Sequence, residues 1–217
     1  MKNKKIVLIY SGFERFWHWA QAGLILFLAF TGFEIHSSYS FLGFRDAIRY
    51  HNIAAYLLIV LIVFAVFWHL TTGEWRQYIP TSRNIVAQLE YYVFGIFRNA
   101  PHPTKKTALI KLNPLQKLTY FGLKVFLLPA TLISGLLYMF YRHPGAGTIE
   151  SLTIRSLGSI AIAHTICAFA LAAFLITHLY LITTGETVTA NLKAMLAGFE
   201  ELEEEEGGRN SGSGRHA

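Results

Sequence analysis

Four runs of apolar residues dominate the chain, Phe16 to Phe33, Ile53 to Leu70, Leu118 to Tyr141 and Leu157 to Thr183. Each is long enough to cross a hydrocarbon core of about 30 Å, which takes about 20 helical residues. Their polar residues are few and show no two-residue alternation, so the pattern predicts helices and no strand. The expected fold is therefore all-α, an integral membrane four-helix bundle. The first run does not read as a cleavable signal peptide. Glu14, Arg15, His18 and Gln21 interrupt its front, and no small-x-small site follows it.

The polar connections set the expected topology. The amino terminus carries Lys2, Lys4, Lys5 and Arg15, and the segment from Glu74 to Pro114 carries Arg76, Arg83, Arg98, Lys105, Lys106 and Lys111. The connections Glu34 to Tyr50 and Arg142 to Arg155 hold two Arg each. By the positive-inside rule the basic segments are cytoplasmic, the two others face outward, and both termini are cytoplasmic. Within the loop 74–114, Asn84 to Phe97 is apolar and aromatic and is expected to lie along the interface as a short amphipathic helix. The organisation expected is a membrane domain over 1–186 and a tail over 187–217, acidic from Glu200 to Glu206 and then rich in Gly and Ser, which reads as flexible. HLTTGEW from His69 and HLYLITTGET from His178 are similar helix exits, not a duplicated domain.

Composition agrees with the pattern. Of 217 residues 53% are hydrophobic and 15% charged, where a soluble domain has about 25% charged. The net charge of +6 would suggest nucleic acid in a soluble protein. Here the cations flank apolar runs and mark topology, so no nucleic-acid partner is expected. One cysteine, Cys167, excludes an intrachain disulfide and reads as a small core residue. No Cys-x-x-Cys-His is present, so any redox cofactor is held without covalent attachment. There is no glycine-rich phosphate loop and no Ser/His/Asp spacing for a triad.

The chemistry lies in the histidines. Five of nine, His18, His51, His69, His164 and His178, fall in or at the ends of the spans. Ionisable groups there are costly and face an interior, a cavity or a cofactor. His164 and His178 share a helix face about 21 Å apart, and His51 and His69 share another about 27 Å apart. Helices two and four both start outside, so His51 and His164 lie at one outer depth and can ligate one iron from opposite sides. His18 and His178 can form a second pair at inner depth, with His69 the alternative partner of His178. His69 lies about 6 Å nearer the cytoplasm than His178 and is a spare ligand or a quinone contact.

Neutral imidazole suits haem iron, and facing helices can grip a porphyrin between them. Small residues beside the ligands leave room for a flat ring: Ala161, Ala163, Ala168, Ala170, Ala172 and Ala173 on helix four, Ala54 and Ala55 on helix two. The plainer alternatives are close helix packing for the alanines and interfacial hydrogen bonding for any single histidine.

ERFWHW at Glu14 to Trp19, His51 with HLTTGEWRQYIP from His69, KLNPLQKLTYFGL at Lys111 to Leu123, and the fourteen-residue spacing of His164 and His178 resemble the prokaryotic cytochrome b561 family. That family includes the membrane cytochrome b subunits of formate dehydrogenase, nickel-iron hydrogenase and thiosulfate reductase. The likeness runs from Phe13 to Glu186. It implies a four-helix bundle with two b-type haems in the bacterial cytoplasmic (inner) membrane, an electron-transfer subunit of an oxidoreductase complex. Menaquinone or ubiquinone would be its diffusible substrate and an extracytoplasmic iron–sulfur or multihaem subunit its partner. Position by position it implies His18, His51, His164 and His178 as haem ligands and gives His69 no single role.

Other residues carry secondary expectations. Arg15 and Lys124 are candidate contacts to a propionate, and Lys117, Lys124 and Glu74 to a quinone; snorkelling is the alternative for the lysines. Pro129 is expected to kink helix three, and Gly122 and Gly135 to permit close packing. Trp17, Trp19, Trp68 and Trp75 read as an interfacial aromatic belt. Two other classes compete, a haem-free membrane anchor and a His-dependent metal or proton transporter. The carboxylates Glu14, Glu34, Glu74 and Glu186 all sit at helix ends, which argues against transport.

Overall fold

The computed structural model describes residues 4–81, 84–98, 100, 103, 111–141, 154–185 and 187–203. Four helical stretches are long and apolar enough to span a membrane, Gly12–Ile35, Phe44–Thr72, Pro114–Phe140 and Ser156–Ile182. The all-α bundle expected from the apolar runs is present.

Helix α1 (Gly12–Ile35) begins where Ser11 and Glu14 cap each other: the Ser11 N–H donates to Glu14 Oε2 at 2.7 Å and the Glu14 N–H to Ser11 Oγ at 3.3 Å. The turn to α2 (Phe44–Thr72) is built on one side chain. Glu34, 3% exposed, accepts on Oε1 the N–H groups of Phe41, Leu42 and Gly43 at 2.8, 2.6 and 2.7 Å. A carboxylate satisfying three backbone donors fixes the connection that aims α2 back along α1. At the far end Gly73, at φ +77°, stops α2 in the left-handed conformation that glycine adopts without strain. A 3₁₀ turn over Glu74–Tyr78 and the short helix α3 (Ile85–Glu90), continued by a π turn at Tyr91–Gly95, follow. The apolar stretch 84–97 is thus helical as expected.

The third span is interrupted. Helix α4 (Pro114–Gly122) is capped by Asn113 and Gln116, and α5 runs over Leu128–Tyr141. Between them Leu123–Leu127 form a π turn in which the Leu128 N–H bonds to the Leu123 carbonyl. Pro129 explains its place. Proline has no N–H to offer the carbonyl four residues back and its ring crowds that carbonyl, so the helix widens just before it. Gly122 lies at this junction, and a Cβ there would meet nothing within 4 Å, so the close packing expected of it is absent. The fourth span is α6 (Ile154–Ile182).

Two expectations are corrected after α6. Residues 190–197 form helix α7 (Ala190–Ala197), and strand β2 (Phe199–Glu203) pairs antiparallel with β1 (Lys4–Leu8), in register Lys4↔Glu203 and Ile6↔Glu201. The acidic run therefore starts as a strand facing the basic amino terminus, and 187–203 is part of the fold. Opposite charges across the pair and ladder hydrogen bonds supply what the sequence lacked in alternation. Gly198, at φ +91°, makes the turn possible; its carbonyl accepts the N–H groups of Ile9 (2.8 Å) and Tyr10 (3.1 Å). Residues 204–217 lie outside the described residues.

The strand pair places residues 4–8 and 199–203 together at one end of the bundle. Reporter fusions after Pro103 and after Glu186 should both read cytoplasmic; an external reading at either would reverse the topology.

Close backbone packing occurs within two hairpins, α1 on α2 and α5 on α6. Between the hairpins the contacts are made by side chains, such as Phe33 with Phe169 and Tyr56 Oη with Met139 Sδ. The histidines occupy this slot.

Candidate functional site

Two pairs of imidazoles face each other across the slot. His51 on α2 and His164 on α6 have ring centroids 6.3 Å apart, and His18 on α1 and His178 on α6 have theirs 6.2 Å apart. No hydrogen bond joins the facing rings. Two imidazoles on opposite sides of one metal, each with a metal–nitrogen bond of about 2.0 Å, have centroids about 6.3 Å apart. Both pairs stand at that separation. Among the described residues no group of three or more His, Cys, Asp and Glu could hold an ion. The pairs suit a metal whose other ligands come from a macrocycle, and haem is such a group.

The outer pair is held by neighbours that also fix its tautomer. Thr31 Oγ1 donates to the Phe27 carbonyl at 2.9 Å and meets His51 Nδ1 at 2.9 Å, so the proton between them belongs to Nδ1. His164 Nδ1 meets the Thr131 carbonyl at 3.1 Å and Ser134 Oγ at 3.2 Å. A carbonyl only accepts, so this Nδ1 is protonated too. In both rings the Nε2 lone pair remains for a metal, with the other nitrogen oriented as metal-bound histidines require.

Each of these rings also lies against a glycine. A Cβ at Gly32 would sit 3.5 Å from His51 Cε1, and one at Gly135 would sit 3.0 Å from His164 Cε1. The device repeats: Thr31–Gly32 in one hairpin and Ser134–Gly135 in the other supply a hydroxyl for Nδ1 and a gap for the ring. Gly135 was expected to aid packing and does so against the histidine itself. Thr31, Thr131, Ser134 and Gly32 were missed. The readable signal was a hydroxyl residue followed by glycine, at the depth of a histidine on the neighbouring span.

The inner pair is held differently. His18 Nδ1 is buried with no hydrogen-bond partner, and the His178 ring stacks on Phe174 at 5.8 Å. His69 stays out of both pairs. It is 8% exposed, its Nδ1 donates to the Ala65 carbonyl at 2.6 Å, and it contacts Trp17 (5.2 Å), Trp68 (5.1 Å) and Tyr78 (5.4 Å). The ring facing His178 is therefore His18.

Around His69 the other candidates separate. Lys124 Nζ lies 3.3 Å from the Tyr78 ring centroid and 4.6 Å from that of Trp17, turned between the helices and not snorkelled. Trp17 and Trp68 are contacts of this group, which corrects the belt for them; Trp19 and Trp75 are exposed as a belt requires. Glu74 accepts from Gln77 and from Lys111 Nζ, the latter at 3.4 Å, and Lys111 also bonds Glu14 Oε1 at 2.8 Å. Burial, and after it the Glu14 carboxylate, push the Tyr78 phenol up from its ordinary pKa, so it stays neutral. Arg15 Nη1 donates to the Leu196 carbonyl at 2.7 Å, tying α1 to the end of α7. The Lys117 side chain makes no hydrogen bond or ion pair with any described residue; its backbone N–H donates to the Asn113 carbonyl at 2.9 Å.

The family model for prokaryotic cytochrome b561 matches residues 9–198. The Escherichia coli (strain K12) protein YdhU, provisionally named a cytochrome, is 28% identical over 200 residues, covering 89% of this chain and 74% of that protein.

Proposed function

Given that this chain belongs to the prokaryotic cytochrome b561 family, we propose that it is a dihaem cytochrome b passing electrons between the quinone pool and a redox partner on the outer face of the cytoplasmic membrane. The coarser part, a haem-binding membrane cytochrome of electron transfer, follows from the family. The observation that carries the rest is the two imidazole pairs, 6.3 and 6.2 Å across and one above the other in the slot. A haem held by such a pair would supply one-electron exchange.

The chain's own residues do the remainder. His51 with His164 and His18 with His178 would hold the two groups, and α6 carries one residue of each pair, His164 and His178, about 21 Å apart along its axis. Quinone exchange belongs at the inner end, where His69, Lys124 and Glu74 gather beside the lower pair and can bind a head group and trade protons with it. The outer end belongs to the partner, an iron–sulfur or multihaem subunit. There Glu34 clamps a short loop that presents Phe41, 79% exposed, with Phe44.

The competing classes fit less well. A transporter needs carboxylates along a path, yet Glu14 and Glu74 are bonded to Lys111 and Glu34 to backbone. A haem-free anchor gives the paired rings no purpose. The test is the optical spectrum of the purified full chain after reduction. Split b-type bands with two haems per chain are expected; a colourless protein from haem-replete cells would overturn the proposal.

A further inference from the structure

Lys124 Nζ has no oxygen partner among the described residues. It lies within the third span, where a charged group is costly unless paired. Among the described residues no carboxylate stands within ion-pair distance of it. Glu14, whose charge reaches it, is already engaged by Lys111 at 2.8 Å and by the Ser11 N–H at 2.7 Å. What surrounds the ammonium is aromatic, the faces of Tyr78 and Trp17. Ring faces hold a cation by their quadrupole but leave its strongly directional N–H donors without an oxygen.

A second donor in the group is equally unanswered. Trp17 Nε1 is buried and has no hydrogen-bond partner. His69, edge-on to Trp17 and beside Tyr78, has its Nδ1 proton committed to Ala65 and its Nε2 free. Three separate elements thus converge, α1 with Trp17, α2 with His69, and the π turn with Lys124. The π turn matters to the aim of the side chain, since an extra residue in one turn swings Lys124 off the regular helical register; such turns recur at functional sites. Trp17 adjoins His18 in sequence, which puts the group at the level of the inner histidine pair.

We infer that Lys124 Nζ and Trp17 Nε1 form a binding site for a ligand oxygen that carries negative charge. Two sources offer that oxygen in the protein as read above, a carboxylate of the porphyrin held by His18 and His178, and the head group of a quinone on reduction. The inference rests on the proposed cytochrome function, and it assigns Trp17 a binding role that no sequence motif suggested.

The experiment uses the full chain in detergent, wild type beside Lys124→Met and Trp17→Phe, the second removing the N–H while keeping a ring. Haem content, the midpoint potentials and the rate of haem reduction by menadiol and decylubiquinol are measured. If the oxygen is a porphyrin carboxylate, both variants lower the potential or the occupancy of one haem. If it is a quinone oxygen, the quinol concentration for half-maximal rate rises tenfold or more with both haems and both potentials unchanged. Either result supports the site. Unchanged haem content, potentials and quinol kinetics in both variants would overturn it. A wild type without haem bands would fail at the level of the proposed function instead, and the two failures are read from different samples.

Discussion

Replacing His164 with Ala is expected to leave a folded protein with one haem in place of two, the remaining one still reducible. His51→Ala should give the same spectrum, because the two rings face each other at 6.3 Å and, among the described residues, no third His, Cys, Asp or Glu completes a metal site with them. The effect is large because one imidazole alone would hold the haem from one side only, and the neighbours that orient the rings, Thr31 at His51 and Thr131 with Ser134 at His164, set them to act as a pair. Gly135→Val should approach this phenotype without touching a ligand. Its Cβ alone would stand 3.0 Å from His164 Cε1, and added methyls in a filled site typically cost about 1–3 kcal/mol and turn the ring aside. Thr31→Val should be milder: it removes the acceptor for His51 Nδ1, and loss of such a partner typically weakens metal affinity about 10–100-fold. Haem per chain, measured by pyridine haemochrome with redox titration, checks all four. Two haems retained in both His51→Ala and His164→Ala would refute the outer pairing.

His69→Ala should keep both haems and lose quinol reactivity. The ring is buried against Trp17, Trp68 and Tyr78, apart from either facing pair, and its Nε2 is free to exchange a proton with a head group. Removing a positioned proton-exchanging group typically costs about 10²–10⁴-fold in rate. The measurement is haem reduction by quinol against reduction by dithionite, which needs no such site. Loss of a haem would make His69 an axial ligand and displace His18. Unchanged quinol kinetics would remove it from the mechanism.

The sequence by itself determined the elements and the chemistry. Apolar runs of span length, the basic loops and five histidines at matched depths are properties of one helix at a time. They follow from rise per residue and the cost of charge in hydrocarbon, so they are legible without a fold. The depth argument already put His51 with His164. It left His178 between His18 and His69, since helices one and two both pass that depth and depth says nothing about which faces inward.

Tertiary structure decided what depends on neighbours. His18 faces His178, while His69 turns away to Trp17 and Tyr78. The Thr31–Gly32 and Ser134–Gly135 cradles exist only when two helices meet, because a glycine's value here is the space it leaves for another helix's ring. The sequence left Lys124 open between a snorkelled lysine and a cofactor contact, and the π turn before Pro129 places it against two aromatic faces. The strand pair Lys4–Leu8 with Phe199–Glu203 was invisible for the same reason. Its stability comes from hydrogen bonds and opposite charges between segments nearly 200 residues apart in sequence, and no local period records such a partnership.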